Sequence, residues 1–425
     1  MIGPLFCFYG DDFTGSTDAL EALASQGVET VLFPKPPDAA LLARFADCRA
    51  IGIAGESRSR GPEWMDAQLP PVFENLRQYG APLCQYKVCS TFDSSPQFGS
   101  IGRAMEIGRG VFGNRWVPIA VAAPHLKRYV LFGNLFAFGG GSIHRIDRHP
   151  AMSRHPVTPM DEADLRLHLA RQTAMRIGLV DIQALEQGRA DDVLALQVAE
   201  NEAVLFDGLG WESIAEVGRL VWEQAEGFCV GSSGLTHALM MHWRAVGLVA
   251  RDFEPPQATP VEKIIVVSGS CSPATATQIE WAGHNGYAAI RVDVNSFDME
   301  RDLSSALAGV ENHRGVVLYS ALGPADRRGE PKGESLGRYL GSLLAELIRR
   351  SGVRRAVVAG GDTSSHAVAQ LDIDALTFAA LLSPGAPLCR VHSLEPEMDG
   401  VELVLKGGQV GPQHFFENVR QGIAE

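Results

Sequence analysis

Short apolar runs that stop at glycine or polar turns recur along this chain, and segments of helical period separate many of them. That alternation restricts the fold to βαβ units around a largely parallel sheet, because a continuous apolar run is the pattern of a strand buried on both faces. Residues 5–9, 50–54, 83–88, 117–122, 203–206 and 228–230 read as such strands. Residues 17–25 read as a helix stopped by Gly27, with Ser16 at its N-cap. Residues 161–176 read as another helix, with Thr158 to cap it, Pro159 at its first position and Asp161 facing the helix dipole. At 249–262 the chain reads VARDFEPPQATPVE, with three prolines and no apolar period, which marks a linker. A second series follows, with strands at 264–267, 288–292, 316–319, 356–359 and 402–405 and a clear helix at 337–350. The expected fold class is α/β: two α/β domains, 1–255 and 256–425, each a mostly parallel sheet flanked by helices, with an interdomain cleft.

Composition narrows the partners. The 425 residues carry 37 Lys and Arg against 50 Asp and Glu, a formal net charge of −13. Duplex nucleic acid and anionic membranes both require a basic footprint, so neither is expected as a partner, whereas local basic clusters suffice for a small anion. The seven cysteines are odd in number and sit mostly in apolar runs, which points to reduced thiols in a cytoplasmic protein. MIGPLFCFYGDD has no basic n-region, and no apolar stretch nears the roughly 20 residues that span a bilayer, so the N-terminus reads as a buried strand. A homo-oligomer is compatible with all of this.

Five motifs carry chemistry. In FYGDDFTGSTD, residues 8–18, a strand delivers Asp11 and Asp12 to the carboxyl edge of the sheet, where ligands of open α/β sheets bind. One carboxylate can orient a hydroxyl there while the other takes its proton; helix capping is the plainer reading. In QYKVCSTFDSSPQFGSIGR, residues 85–103, Lys87 ends a strand, and Ser90 and Thr91 precede a helix N-terminus suited to a carboxylate or polyol. VVSGSCSPAT (266–275), AVVAGGDTSSHAV (356–368) and VLKGGQVGPQHFF (404–416) are three glycine-rich turns after strands of one domain. Gly360 and Gly361 let the backbone approach a ligand, the following helix N-terminus favours phosphate, and Asp362 is placed to hold Mg²⁺ or to cap the helix. Other chemistries lack their signatures. GxxxxGK[ST] does not occur, no GxGxxG follows the first strand, and GSSGL at 231–235 does not match GxSxG. The histidines at 144, 149 and 155 lie among Arg145, Arg148 and Arg154, neighbours that repel a cation and suit a loop near an anion.

These residues resemble the four-carbon acid sugar kinase family, ATP-dependent enzymes that phosphorylate tetronates and 3-oxo-tetronates. The resemblance spans nearly the whole chain through GDDFTGSTD, HPVTPMDEADL at 155–165, VVSGSCS at 266–272, GGDT at 360–363, SPGAPL at 383–388 and KGGQVG at 406–411. It implies that the N-terminal domain binds the sugar acid and the C-terminal domain binds ATP, with Ser268, Gly360, Gly361, Asp362, Thr363 and Gly408 at the nucleotide. Where the family has Lys-x-Asp-Ser-Thr-x-Arg-Gly, this chain has Cys89 in place of the aspartate and Asp93 in place of the arginine, which reverses a charge near the substrate. A branched acid such as a 3-oxo-isoapionate-like compound therefore fits beside a tetronate.

The expected reaction moves the γ-phosphoryl of ATP, with Mg²⁺, to a hydroxyl of a small anionic sugar acid. Asp12 is the preferred base, Asp11 the next and Asp362 a rival, while Arg58, Lys87 and Arg103 steady the anion with Ser90 and Thr91. The alternatives are a carboxylate-activating ligase, which would form AMP, and a sensor that keeps the fold without the reaction.

Overall fold

The computed structural model describes residues 3–155, 157–326 and 333–424. It divides into two compact units, Met1–Glu29 with Asp47–Phe253, and Thr30–Ala46 with Glu254–Glu425. The expected division at 255/256 placed residues 30–46 in the N-terminal part, but they pack with the C-terminal unit. Strand β1 (Phe6–Gly10) belongs to the first unit and β2 (Thr30–Phe33) to the second.

The N-terminal unit continues with β3 (Ala50–Ala54), β4 (Leu83–Lys87), β5 (Val117–Ala120), β6 (Arg128–Leu131), β7 (Asn134–Gly139), β8 (Ser142–Arg145), β9 (Ile177–Val180), β10 (Ala203–Phe206) and β11 (Gly227–Gly231). Its main sheet has the order β3-β1-β4-β11-β5-β10-β9, and every pairing in it is parallel. β1, β3 and β5 are buried along their whole length, as their unbroken apolar runs require, and β4 is equally buried with Gln85 and Lys87 in it. Because β1 and β4 run parallel with Gly10 opposite Lys87, the loops after both strands leave from one edge. The small antiparallel sheet β6-β7-β8 lies apart from this series.

The helix expected over 161–176 is reduced to Leu165–Leu169, and its N-cap is Asp164, whose carboxylate accepts from the Arg166 amide at 3.0 Å. Residues 163–165 are drawn into pairing with the start of β7, through Leu135 N–H to Ala163 C=O and Leu165 N–H to Gly133 C=O, each 2.9 Å. That pairing fixes extended backbone where the sequence pattern favoured a helix, and residues 177–180 must then supply β9.

In the C-terminal unit the strands are β12 (Ile264–Ser268), β13 (Ala288–Arg291), β14 (Gly315–Tyr319), β15 (Arg355–Ala359), β16 (Ala375–Ser383), β17 (Ala386–His392) and β18 (Glu402–Lys406). They follow the order β13-β14-β12-β15-β18-β17-β16-β2. The first five pair in parallel, while β18-β17, β17-β16 and β16-β2 are antiparallel. β2 joins by placing Leu32 opposite Leu376, and Phe45 packs edge-on against Phe33 and His392, which explains why residues 30–46 belong here. The helix Gly333–Ser351 contains the one expected at 337–350. None of the seven cysteines forms a disulfide.

Candidate active site

At the carboxyl edge of β1, Asp11 and Asp12 leave the buried strand side by side, 4% and 9% exposed. Asp12, and not Ser16, caps the helix Phe13–Ala24. Its Oδ1 accepts from the Gly15 amide at 2.7 Å, and its Oδ2 accepts from Thr14 Oγ1 at 2.9 Å and from Arg58 Nη1 at 2.8 Å. Arg58 also holds Asp11, donating from Nη2 at 2.7 Å and from Nε at 3.2 Å. Burial pushes the Asp11 carboxyl up to about 6, against the downward pull of Arg58 and with an upward push from Asp12. Burial opposes charge on Arg58 as well, but the two aspartates keep it protonated.

Lys87 ends β4 with only 2% exposure, and its Nζ pairs with Asp18 Oδ2 at 3.0 Å. A Cβ added to Gly15 would lie 2.4 Å from Asp12 Oδ1, 3.1 Å from Lys87 Nζ and 3.7 Å from Arg58 Nη2, so the two ion-paired groups meet around one backbone position. In the following loop Ser90 and Thr91 are buried, and Thr91 Oγ1 donates to Asp93 Oδ1 at 2.5 Å and lies 3.0 Å from Cys89 Sγ. Burial raises and Arg58 lowers the Asp93 carboxyl, with a net downward shift. Asp93 thus adds a charged carboxylate to the same region. Arg103 is not part of it: its guanidinium pairs with Asp66 at 2.5 Å and Glu106 at 2.6 Å. The basic loop is also self-paired in part, Arg145 with Asp147.

Two partners escaped the sequence reading. Asp18 lies one helical turn beyond Thr14 in the motif already singled out, and its burial is opposed by Lys87 and His125, which hold its carboxyl below the usual range. His125 follows β5, and both its ring nitrogens are buried without a hydrogen-bond partner among the described residues. Nothing in the linear spacing of either residue signals that contact.

In the C-terminal unit the three glycine turns converge. A Cβ on Gly269 would fall 2.2 Å from Thr363 Oγ1; one on Gly360 would fall 3.0 Å from the same oxygen and 3.3 Å from the Ser270 amide; one on Gly408 would fall 2.7 Å from Ser270 Oγ. Gly360 has φ +117°, a conformation that favours glycine, and it precedes the helix Gly361–Val368. Ser268 is fully buried at the end of β12, and Thr363 is 6% exposed. The side chain of Asp362 lies outside the described residues. A backbone cradle at a helix N-terminus, too tight for side chains, suits phosphate. Gly360→Val is expected to raise KM for ATP strongly and leave KM for the acid unchanged, as steady-state kinetics would show.

Lys406 was also missed. It ends β18 fully buried; its Nζ donates to Thr275 Oγ1 at 3.1 Å, Thr275 Oγ1 donates to Gly408 C=O at 2.8 Å, and its own C=O accepts from the Gly360 amide at 3.0 Å. Among the described residues no carboxylate pairs with it, and burial lowers it to about 7.

Two family models match the chain in succession. Residues 6–239 match the model of a sugar-binding N-terminal domain and residues 265–416 that of a nucleotide-binding C-terminal domain. The chain is 49% identical to a 3-oxo-isoapionate kinase of Paraburkholderia graminis, over 99% of this chain and 95% of the relative. It is 30% identical to a 3-oxo-tetronate kinase of Pseudomonas fluorescens, over 99% and 97%. In fold it is similar to a Haemophilus influenzae protein, HI1011, with TM-score 0.73, 23% identity and coverage of 98% and 100%. The chain therefore belongs to the four-carbon acid sugar kinase family, with its sugar-binding domain first and its nucleotide-binding domain second.

Proposed function

We propose that this kinase transfers the γ-phosphoryl of ATP to a hydroxyl of a branched sugar acid of the 3-oxo-isoapionate type. The convergence of Gly269, Gly360 and Gly408 around the Ser270 amide and Thr363 carries the nucleotide half of this reading. The 49% identity to a 3-oxo-isoapionate kinase supports the acid. The hydroxyls of Ser268, Ser270 and Thr363 are hard oxygen donors of the kind Mg²⁺ accepts, and Asp362 is the carboxylate proposed to join them. When bound, Mg²⁺ supplies charge neutralisation on the phosphates.

Asp11 is the base in this proposal, ahead of Asp12. Both carboxylates are bonded to Arg58, but Asp12 is further committed to capping the helix, with three donors on its two oxygens. Asp11 titrates at about 6, closer to neutrality, where a base combines ionisation with proton affinity. Only its ionised form can take the proton of the attacking hydroxyl. The expected pH profile therefore has kcat falling as pH drops through about 6 and level above it on this limb.

The substrate is tested by comparing kcat/KM for 3-oxo-isoapionate and for a 3-oxo-tetronate, with ADP release as the readout. The proposal predicts preference for the branched acid. Preference for the tetronate would transfer the assignment to the other class of relatives, and formation of AMP would indicate a ligase.

A further inference from the structure

Each of the three cations expected to hold the acid is already bound by the protein's own carboxylates: Arg58 by Asp11 and Asp12, Lys87 by Asp18, and Arg103 by Asp66 and Glu106. A substrate carboxylate reaching any of them must compete with a pre-formed pair, and Asp11, Asp12, Asp18 and Asp93 outnumber the two cations, Arg58 and Lys87, that they act on. An anionic substrate needs a cation elsewhere at this edge.

Arg128 meets that need. It opens β6 at the end of a short loop from β5 that is closed by reciprocal backbone bonds, Ala123 N–H to Arg128 C=O at 3.0 Å and Arg128 N–H to Ala123 C=O at 3.1 Å. Its Nη1 donates to the carbonyls of Leu126 and Lys127. Its Nε is buried without a partner, and no carboxylate lies within ion-pair distance of it among the described residues. The same loop carries His125, within electrostatic reach of Asp18 and Lys87 on one side and Arg128 on the other. β5, which precedes this loop, runs parallel to β11, and β11 runs parallel to β4, so the loop carrying Arg128 leaves the sheet at the edge where Lys87 ends β4. Burial lowers the guanidinium from its usual value with only Cys89 and Tyr129 opposing, the signature of a buried cation lacking a carboxylate.

We propose that Arg128 binds the carboxylate of the sugar acid, through the Nε–Nη2 edge of its guanidinium, which has no acceptor among the described residues. Two N–H groups on one edge of a guanidinium match the two oxygens of a carboxylate, which makes Arg the residue for this contact and Lys a poor substitute. The inference rests on the acid-kinase reading and adds the group that recognises the acid.

The test compares 3-oxo-isoapionate with its neutral methyl ester in wild type, Arg128→Met and Arg128→Lys. A lost charged hydrogen bond is worth about 1.5–3 kcal/mol, or roughly a 10- to 150-fold change. Arg128→Met is expected to raise KM for the acid by that factor, leave KM for ATP unchanged and abolish the wild-type preference for acid over ester, with Arg128→Lys partly restoring it. If Arg128→Met does not fold, an acid preference that is reduced but not abolished in Arg128→Lys carries the same test. An unchanged acid preference, or equal losses for acid and ester, overturns the role of Arg128 and leaves the kinase reading standing. Wild-type protein that phosphorylates neither compound overturns both.

Discussion

Asp11→Asn is expected to lower kcat by about 10²- to 10⁴-fold, the usual cost of removing a positioned base, with KM for ATP near the wild-type value. The substitution keeps the shape of the side chain and an oxygen able to accept from Arg58, so the fold is retained while the proton acceptor is lost. Asp12→Asn should behave differently. Asparagine caps a helix about as well as aspartate, and its amide oxygen can still accept from Gly15 N–H, so the helix Phe13–Ala24 stays anchored and kcat falls less than in the first variant. The acidic limb near pH 6 should also disappear in Asp11→Asn and persist in Asp12→Asn. Single-turnover kinetics across pH would check both points. The reverse ranking would return the role of base to Asp12.

Lys406→Met is expected to weaken ATP binding by roughly 10- to 100-fold, the scale of a charged hydrogen bond, without impairing acid binding. The buried ammonium lies among the glycine turns and, among the described residues, has one hydroxyl, the ring of Phe415 and no carboxylate beside it, so a phosphate would supply a counter-charge. Stability should move in the opposite sense to affinity. Lys406 titrates at about 7 in the folded chain, below its ordinary 10.5, so between those values the unfolded chain binds a proton that the folded chain does not. Unliganded stability contributed by this group therefore rises with pH across that window, and Lys406→Met should remove the rise while leaving the protein no less stable near pH 7. Denaturant titrations at several pH values, paired with calorimetric ATP binding, separate the two effects. A variant that loses stability and ATP affinity together would make Lys406 a structural residue.

The parallel strands were legible because burial on both faces demands unbroken apolar runs, and Phe6–Gly10 and Ile264–Ser268 fall within a residue or two of where those runs stop. Gly269 and Gly360 were legible as turns for the same reason. Residues 30–46 were not, because which sheet a four-residue strand joins depends on antiparallel register with Leu376 and Thr377, far along the chain. The hairpin of β16 and β17 escaped through its mixed burial. At the site the aspartate pair stood out as a motif, but its division of labour did not: that Asp12 caps while Asp11 is raised depends on burial and on one arginine from the next strand's loop. Arg58, Lys87 and Arg103 looked alike as free cations. Only the folded chain shows that Asp18 holds one, the aspartate pair another and surface acids the third, and that among the described residues Arg128 has no carboxylate.

The central claim is phosphoryl transfer from ATP to a hydroxyl of a sugar acid. The direct measurement is the ³¹P spectrum of a mixture of the protein, ATP, Mg²⁺ and 3-oxo-isoapionate followed to completion. ADP and one new phosphomonoester are expected in equal amounts, both absent when the acid is left out and both greatly slowed in Asp11→Asn. AMP with pyrophosphate, or ATP that persists unchanged beside the acid, would contradict the central claim.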